Sequence, residues 1–468
     1  MLFNSLQFLV FFVIVTISYF LLPHKFRWIL LLSASCYFYM AFVPVYILIL
    51  GFTIVIDYFA GILLENHTGK KRRFYLVASL IANIGVLAIF KYYNFLNINI
   101  DLLLKGFNYS TPLPYLSILL PIGLSFHTFQ AMSYTIEVYR GNQKAERHFG
   151  IYALYVMFYP QLVAGPIERP QNMLYQFYRE HYYDFQRIKS GLMLIIFGFF
   201  KKVVIADRLS LLVDHVYKNP LEQSGASIIV ATVFYAIQIY CDFSGYSEIA
   251  IGTARVMGFG LMTNFARPYF SKSIAEFWSR WHMSLSTWFK DYLYIPLGGN
   301  RVGIYRWIFN LFIVFLISGL WHGANWTFLI WGALHGLYLV IGILKNKYTK
   351  ISSFADKLPF ISFFRILITF LLVDFAWIFF RAANIDQAFQ MIDKIFHFSF
   401  SDKLDLGLNF YETIFSIILI LLLFFKEKFF NIINTSDTRL FFTVFFILIL
   451  LCYYFGVFDL KQFIYFQF

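Results

Sequence analysis

Apolar stretches long enough to cross a lipid bilayer recur along the whole 468-residue chain. A helix needs about 20 apolar residues to span the ~30 Å hydrocarbon core of a membrane. Hydrophobic residues occupy 60% of the positions, against roughly 45–50% in soluble domains. Because a water-soluble fold could not cover that much apolar surface, the sequence predicts an all-α, polytopic integral membrane protein.

The apolar segments define the predicted organisation, although some are short for a complete crossing. They predict roughly eleven to thirteen membrane segments, including re-entrant or interfacial helices, in a single transmembrane domain over residues 1–468. Motifs are densest at 115–345, and apolar helices fill 358–468. The predicted segments are 5–22, 28–41, 45–63, 74–91, 115–136, 149–165, 187–206, 225–241, 305–320, 324–344, 359–380, 408–425 and 438–457.

Basic residues cluster between the apolar runs. The strongest cluster is 70–73, and a smaller one contains Lys25 and Arg27. The positive-inside rule predicts that both lie in the cytoplasm, so that 28–63 crosses the membrane twice. The same clustering accounts for the net charge of +13, and we expect contact with membrane lipid and no nucleic-acid partner.

Several common chemistries have no support in the sequence. Cys36, Cys241 and Cys452 lie far apart in apolar surroundings and form neither a CxxC pair nor a metal-ligand spacing. We therefore predict no metal site. The chain has no P-loop, no GxSxG and no HExxH, which leaves an energy-coupled pump and a soluble-type serine hydrolase without support.

The stretch 262–304 is too polar to span lipid and too apolar to stand free in water, and it predicts interfacial or re-entrant helices that line a cavity. Helical spacing places Trp278 with His282, and Trp281 with Trp288, on shared faces. One interpretation is an amphipathic helix with aromatic anchors. The other is an aromatic wall that excludes water from an ionisable His282.

A second polar cluster falls inside an apolar region, at 242–248. Helical spacing places Asp242 and Tyr246 on one face and Glu248 on a neighbouring one. Buried carboxylates need partners, and Arg255 or Arg267 could supply one. A structural ion-pair network and a catalytic role both remain open.

His322 lies in the apolar sequence SGLWHGANW (318–326). An ionisable group at membrane depth is costly and suggests a function. Helical spacing places Ser318, Asn325 and Trp326 on the same face as His322. The alternative is that His322 is simply buried structure within a closely packed pair of helices.

Glycines four residues apart favour that close packing. Gly319 and Gly323 form one such pair, and a second lies in WGALHG (331–336). His335 and His127 also lie in apolar helices, where each is predicted to be a hydrogen-bond partner in helix packing.

Four motifs resemble the membrane-bound O-acyltransferase superfamily: QLVAGPIERP (161–170), DFSGYSEIAIG (242–252), NFARPYFSKSIAEFWSRWHMSLSTWFKDYLYIPLGGNR (264–301) and FLISGLWHGANWTFLIWGALHG (315–336). The similar branch contains the alginate O-acetylation membrane protein and the peptidoglycan O-acetyltransferase membrane subunit. The teichoic acid D-alanyl transfer protein is a relative. The resemblance covers most of residues 1–340.

This resemblance implies a ring of helices around a central tunnel. The family's invariant histidine corresponds to His322 and its second, frequent histidine to His282, so both are predicted to be catalytic. The residues then expected to bind substrate or line the tunnel are Arg280, Trp281, Trp288, Asp242, Tyr246, Ser318, Trp321 and Asn325.

The resemblance also implies an activity. We expect an O-acyltransferase of the bacterial cytoplasmic (inner) membrane that takes acetyl groups from cytoplasmic acetyl-CoA and needs no bound cofactor. The acetyl group would pass outward, to a separate extracytoplasmic acetyltransferase or acceptor protein, for O-acetylation of a cell-envelope polysaccharide. Peptidoglycan is the favoured acceptor and an alginate-like exopolysaccharide the next.

Two alternatives remain. One is D-alanyl transfer to teichoic acid from a carrier protein, which would change the cargo but keep the fold. The other is a transporter or channel without acyltransferase chemistry, which would have the same hydropathy and would also place ionisable groups at depth.

Overall fold

The computed structural model describes residues 1–109, 111, 113–117, 120–348, 359–399, 401–429, 436–458 and 463–464. Within these ranges the chain is built from helices and contains no β-strand. The predicted all-α class is confirmed.

Nineteen α-helices are present in the described ranges: α1 Leu6–Leu21, α2 His24–Met40, α3 Tyr46–Asn66, α4 Gly69–Leu87, α5 Tyr93–Lys105, α6 Leu124–Arg140, α7 Phe149–Met157, α8 Pro170–Tyr178, α9 Phe185–Phe199, α10 Asp207–Lys218, α11 Gly225–Met257, α12 Ile274–Arg280, α13 Met283–Phe289, α14 Ile304–His322, α15 Trp326–Tyr348, α16 Pro359–Arg381, α17 Ile385–Phe396, α18 Phe410–Phe429 and α19 Thr438–Phe455. The described chain also contains three π-helical segments, Ala88–Tyr92, Phe200–Ala206 and Lys290–Tyr294. It contains two short 3₁₀ turns as well, Pro220–Glu222 and Pro268–Phe270.

Seven helices of the described chain are long and apolar enough to cross a membrane, which confirms a polytopic membrane protein. The 16-residue helix α1 is apolar but shorter, and α18 carries charged residues at both ends. The total of eleven to thirteen membrane segments and the ring around a tunnel stay predictions. The seven spans are Tyr46–Asn66, Gly69–Lys105, Gly225–Met257, Ile304–His322, Trp326–Lys345, Pro359–Arg381 and Thr438–Phe455.

Some helix ends differ from the apolar runs that predicted them. The run 149–165 predicted one long segment, but α7 ends at Met157. Pro160 follows closely, and a proline has no backbone N–H and restricts the residue before it. Conversely, α11 continues well beyond the predicted 225–241, to Met257, because helix length follows backbone hydrogen bonding and not hydropathy alone.

Chain contacts divide the molecule into two compact units. Unit 1 comprises Met1–Ile195 and Ser247–Met262, and unit 2 comprises Ile196–Tyr246 and Thr263–Phe468. The single domain over 1–468 stays a prediction.

Unit 1 contains a buried polar contact that joins three helices. The Asp57 carboxylate on α3 accepts hydrogen bonds from Ser79 Oγ at 2.6 Å and Asn83 Nδ2 at 2.9 Å, both on α4. Ser79 Oγ is also 3.2 Å from Thr135 Oγ1 on α6. Polar side chains that satisfy one another in this way hold helices together in lipid.

Unit 2 contains the close packing predicted from the spaced glycines. The Cα atoms of Gly319 on α14 and Gly332 on α15 face each other, and a Cβ added at either would stand 3.5 Å from the opposite Cα. The same Cβ would meet a backbone carbonyl oxygen of the opposite helix at 2.2 Å from Gly319 and 2.3 Å from Gly332. The two backbones therefore touch, and only glycine fits at these positions.

We predict that Gly332→Ala lowers the stability of the protein by about 1–3 kcal/mol or more, because the new methyl group collides with a backbone that cannot move aside. Gly342→Ala, on the same helix, is the matched control, since a Cβ there meets nothing within 4 Å. The unfolding midpoint of the detergent-solubilised variants measures both. Equal midpoints for the two variants would contradict the close contact.

Candidate active site

His322 is the last residue of α14, and its side chain is buried. The next residue, Gly323, is extended and ends the helix, and α15 begins at Trp326. Ser318 does precede His322 by one turn of the same helix. The prediction that Asn325 and Trp326 share this face is wrong, because the helix ends before it reaches them.

Asn325 instead joins the link between α14 and α15 to a neighbouring segment. Its Oδ1 accepts the Thr327 backbone N–H at 3.1 Å, and its Nδ2 donates to the Ala383 carbonyl at 2.9 Å. Both the oxygen and the nitrogen of the Asn325 amide therefore form hydrogen bonds that hold the start of α15 in place.

Three aromatic rings surround the imidazole of His322, and we call them the aromatic box. Trp321 lies at 4.9 Å, Trp331 at 5.0 Å and Phe380 at 5.2 Å between ring centroids, each nearly edge-on. All three side chains are buried. The box excludes water from the histidine, and in a site without water electrostatic and hydrogen-bond interactions are strengthened.

The sequence did not identify Phe380 or Trp377, the contributions of α16. Trp377 packs on Trp331 at 5.9 Å and on Phe380 at 5.0 Å. Both positions lie in a region that offers only an apolar pattern. One signal was available in the sequence: Trp377 lies four residues before Arg381, at the end of this apolar helix. A buried tryptophan usually needs a hydrogen-bond partner for its N–H, so its presence there suggested a packed core and not a lipid-facing surface.

His282 lies at a break between two helices, where the sequence predicted that Trp278, His282 and Trp288 belong to one helix. The α-helix α12 ends at Arg280, and His282 takes a left-handed conformation with φ of 42° before α13 starts. The predicted shared faces, Trp278 with His282 and Trp281 with Trp288, are therefore wrong, because each pair is divided by this break.

The break is stabilised by the chain at 264–266. Ala266 N–H donates to the Arg280 carbonyl at 2.9 Å, and Met283 N–H donates to the Asn264 carbonyl at 2.9 Å. Backbone groups that lose their helical partners at the break are thus satisfied by a neighbouring segment. Spacing along one helix cannot reveal such a partner.

The two histidines predicted to be catalytic both lie in unit 2, and they share one neighbour, Trp321. The buried His282 ring lies 4.6 Å from Phe243 and 6.2 Å from Trp321, and Trp321 lies 4.9 Å from His322. The structure therefore brings both predicted histidines into one aromatic cluster.

The membrane-bound O-acyltransferase family matches residues 147–371. A probable alginate O-acetylase of Pseudomonas aeruginosa is 39% identical over 402 residues, which cover 85% of this chain and 75% of the relative. The chain belongs to the membrane-bound O-acyltransferase family.

Two other relatives of the chain are named for different reactions. A peptidoglycan O-acetyltransferase of Helicobacter pylori is 37% identical over 392 residues, which cover 77% of this chain and 72% of the relative. A teichoic acid D-alanyltransferase of Bacillus subtilis is 26% identical over 272 residues, which cover 55% of this chain and 67% of the relative.

The resemblance drawn from four motifs is thus confirmed, together with an acyltransferase activity and a multi-pass membrane location. The transporter or channel without acyltransferase chemistry is set aside. Both His282 and His322 fall inside the matched residues of this O-acyltransferase, whereas Phe380 lies beyond them.

Asp242 lies in a buried ion pair of the O-acyltransferase. Its Oδ1 is 2.6 Å from Lys202 Nζ, which is also 2.8 Å from Asp207, and its Oδ2 accepts the Ile464 N–H at 2.8 Å. For Asp242 the predicted partners were wrong, because Lys202 and not Arg255 or Arg267 pairs with it. A lysine forty positions earlier in the chain has no recognisable spacing.

The other predicted substrate-binding or tunnel-lining residues are spread over unit 2. Tyr246 packs edge-on against Phe463 at 4.6 Å. Arg280 pairs with Glu276, one turn earlier on α12. Their roles in binding substrate or lining a tunnel stay predictions.

Trp281 and Trp288, the other two tryptophans predicted to bind substrate or line the tunnel, differ in their surroundings. Trp281 packs on Trp377 at 5.2 Å and so adjoins the aromatic box. Trp288 packs on Tyr292 at 5.1 Å. Both are buried, and a contact with substrate stays a prediction for each.

A cavity of about 370 Å³ lies in unit 2, between the 275–294 segment and the helices α14 and α15. Ser318, one turn before His322, lines it, and so does Trp278. The Nε1–H of Trp278 also donates to His335 Nδ1 at 3.2 Å. That bond confirms His335 as a hydrogen-bond partner in helix packing.

Burial lowers the pKa of His282 to about 3, whereas an imidazole in an unfolded chain has a pKa near ~6.5. Between these two values the unfolded state binds a proton that the folded state does not. His282 therefore stabilises the fold fully above about pH 6.5, and this stabilisation is lost progressively as the pH falls toward 3.

We predict that acidification from pH 7 to pH 4.5 lowers the unfolding midpoint of the wild type more than that of His282→Gln. The glutamine has a similar polarity but no proton to gain in this range. The midpoint of the detergent-solubilised proteins, measured at each pH, tests this. Parallel pH profiles for the two proteins would show that His282 already carries a proton in the fold.

Proposed function

We propose that this O-acyltransferase moves an acetyl group from cytoplasmic acetyl-CoA across the cytoplasmic membrane, for O-acetylation of an extracytoplasmic cell-envelope polysaccharide. The observation that carries the proposal is the buried His322 imidazole, enclosed by the aromatic box at the end of a membrane-spanning helix. Relatives named as alginate O-acetylase and peptidoglycan O-acetyltransferase support the acetyl cargo and the polysaccharide acceptor.

His322 is proposed to act as the general base. The acceptor hydroxyl gives its proton to the imidazole as its oxygen attacks the thioester carbonyl carbon. The new C–O bond forms, the C–S bond breaks, and the leaving thiolate takes the proton back from the imidazolium. An imidazole suits both steps, as the base when neutral and as the acid once protonated, because its unperturbed pKa lies near working pH.

His282 is proposed to orient the donor or stabilise the oxyanion. A neutral imidazole offers one N–H donor, and a donor aimed at the developing negative charge accelerates acyl transfer. Asn325, which was predicted to bind substrate or line the tunnel, is the alternative for this task. Its amide already bonds to Thr327 and Ala383, so we assign this task to His282.

The acetyl group is proposed to leave the membrane through a separate extracytoplasmic protein that delivers it to the polysaccharide. The basic cluster at 70–73 supports a cytoplasmic donor, since positive loops raise the local concentration of a phosphate-bearing substrate. Radiolabelled acetyl-CoA incubated with the purified protein and its partner tests the donor, and the absence of both hydrolysis and labelling would exclude it.

Peptidoglycan is the proposed acceptor, with an alginate-like exopolysaccharide second. The named relatives do not separate them, because they are 37% and 39% identical. D-alanyl transfer has weaker support, since the D-alanyltransferase of B. subtilis is 26% identical over 55% of the chain.

We predict that His322→Ala reduces acyl transfer by about 10²–10⁴-fold, the usual contribution of a positioned general base. His335→Gln is the matched control, because His335 is equally buried and its bond to Trp278 serves packing. Ester-linked acetate on the cell envelope, divided by the amount of protein in the membrane, measures both. Full transfer by His322→Ala would remove this histidine from the mechanism.

We predict that deletion of the gene removes acetate esters from muropeptides and leaves exopolysaccharide acetate unchanged. Saponification of the two purified fractions, followed by acetate quantification, measures each separately. Loss confined to the exopolysaccharide would reassign the acceptor, and unchanged acetate in both fractions would contradict the proposed function.

A further inference from the structure

The aromatic box is held by a second layer of rings, all within unit 2. Phe380 packs on Phe328 at 5.0 Å and on Trp377 at 5.0 Å. Trp331 contacts Phe380 directly at 5.2 Å. All of these side chains are at least nine-tenths buried. Interiors packed in this way resist enlargement, so the walls around His322 do not yield easily.

We infer that the aromatic box restricts the transferred acyl group to a very short chain, and that Phe380 is the side chain that sets the limit. This inference rests on the proposed function of His322. The acyl carbon must come within bonding distance of the hydroxyl oxygen whose proton passes to His322. Whatever follows the carbonyl in the acyl chain therefore lies against the rings around that imidazole.

Phe380 also packs on Phe328, Trp331 and Trp377, but the contacts that the box makes with the other buried histidines come from its two tryptophans. Trp321 also contacts His282, and Trp331 also contacts Trp278 and His335. The close contact of α14 with α15 involves neither α16 nor its side chains. The Phe380 ring thus fills space beside His322, and its replacement deletes neither the Trp321–His282 contact nor the Trp331–His335 contact.

The size of the effect follows from the cost of methylene groups in apolar pockets. One methylene more or less changes specificity by about 10–200-fold when the pocket is complementary to the acyl chain. Replacing Phe380 by alanine removes a whole ring next to His322. Propionyl and butyryl groups then gain room beside the imidazole that the Phe380 ring occupies in the wild type.

The test uses a deletion strain that carries the full-length wild type, Phe380→Ala or the control Phe379→Ala. Phe379 is equally buried but packs on Phe375 and Phe389. Cultures receive acetate, propionate or butyrate to supply the matching acyl-CoA. Esters released from the purified envelope polysaccharide are quantified, and the deletion strain's own esters are subtracted.

We expect acetyl esters only from the wild type and Phe379→Ala. Phe380→Ala should raise the ratio of propionyl and butyryl to acetyl esters by about 10-fold or more. A variant that keeps acetyl transfer but still rejects longer chains would overturn the inference, and so would a wild type that transfers butyryl as readily as acetyl. Either result leaves the proposed function intact.

The same experiment separates a failure of the proposed function. If the wild type adds no ester of any length beyond those of the deletion strain, O-acylation of the polysaccharide is refuted, and the size limit with it. Should Phe380→Ala fail to accumulate in the membrane, Phe380→Leu replaces it. Leucine removes the planar ring but keeps an apolar side chain. The ratio of propionyl and butyryl to acetyl esters is measured for this variant in the same way.

Discussion

The close contact between α14 and α15 is the constraint on which the candidate site depends. Gly319 and Gly332 let the two backbones touch, and this approach carries Trp331 on α15 to within 5.0 Å of the imidazole at the end of α14. A side chain at either glycine would separate the helices and open the aromatic box. The sequence predicted these glycines to be packing residues. In the structure, the packing that they allow also brings Trp331 against His322 and so forms part of the site.

A second physical requirement is that charges in the apolar interior be paired. In unit 2, Lys202 forms salt bridges with two carboxylates, those of Asp207 and Asp242. Asp57 in unit 1 is instead held by neutral donors from α4. Breaking such a pair leaves a buried charge uncompensated, which costs far more than the pair contributes when intact. These groups therefore act as fixed points for the helices within each unit.

The sequence predicted the helical membrane class and the glycine contact for identifiable reasons, and the catalytic role of the two histidines stays a prediction. Apolar runs and small-residue spacing are local patterns, and the histidines came from motifs shared with a family. What it missed depends on distant parts of the chain. The break at His282 needs the 264–266 backbone, the partner of Asp242 lies forty residues away, and Phe380 belongs to a helix without a recognisable motif. Helical spacing also cannot reveal where a helix ends, which is why Asn325 was placed on the wrong face.

The most direct test of the central role of His322 is the pH dependence of acetyl transfer by the protein reconstituted in liposomes with its partner and acetyl-CoA. Only a neutral imidazole accepts a proton, so the rate should fall toward low pH with the slope of a single protonation. His282→Gln should keep this acid limb, and the small residual rate of His322→Ala should lack it. An acid limb that persists unchanged in His322→Ala would contradict a proton transfer to this histidine.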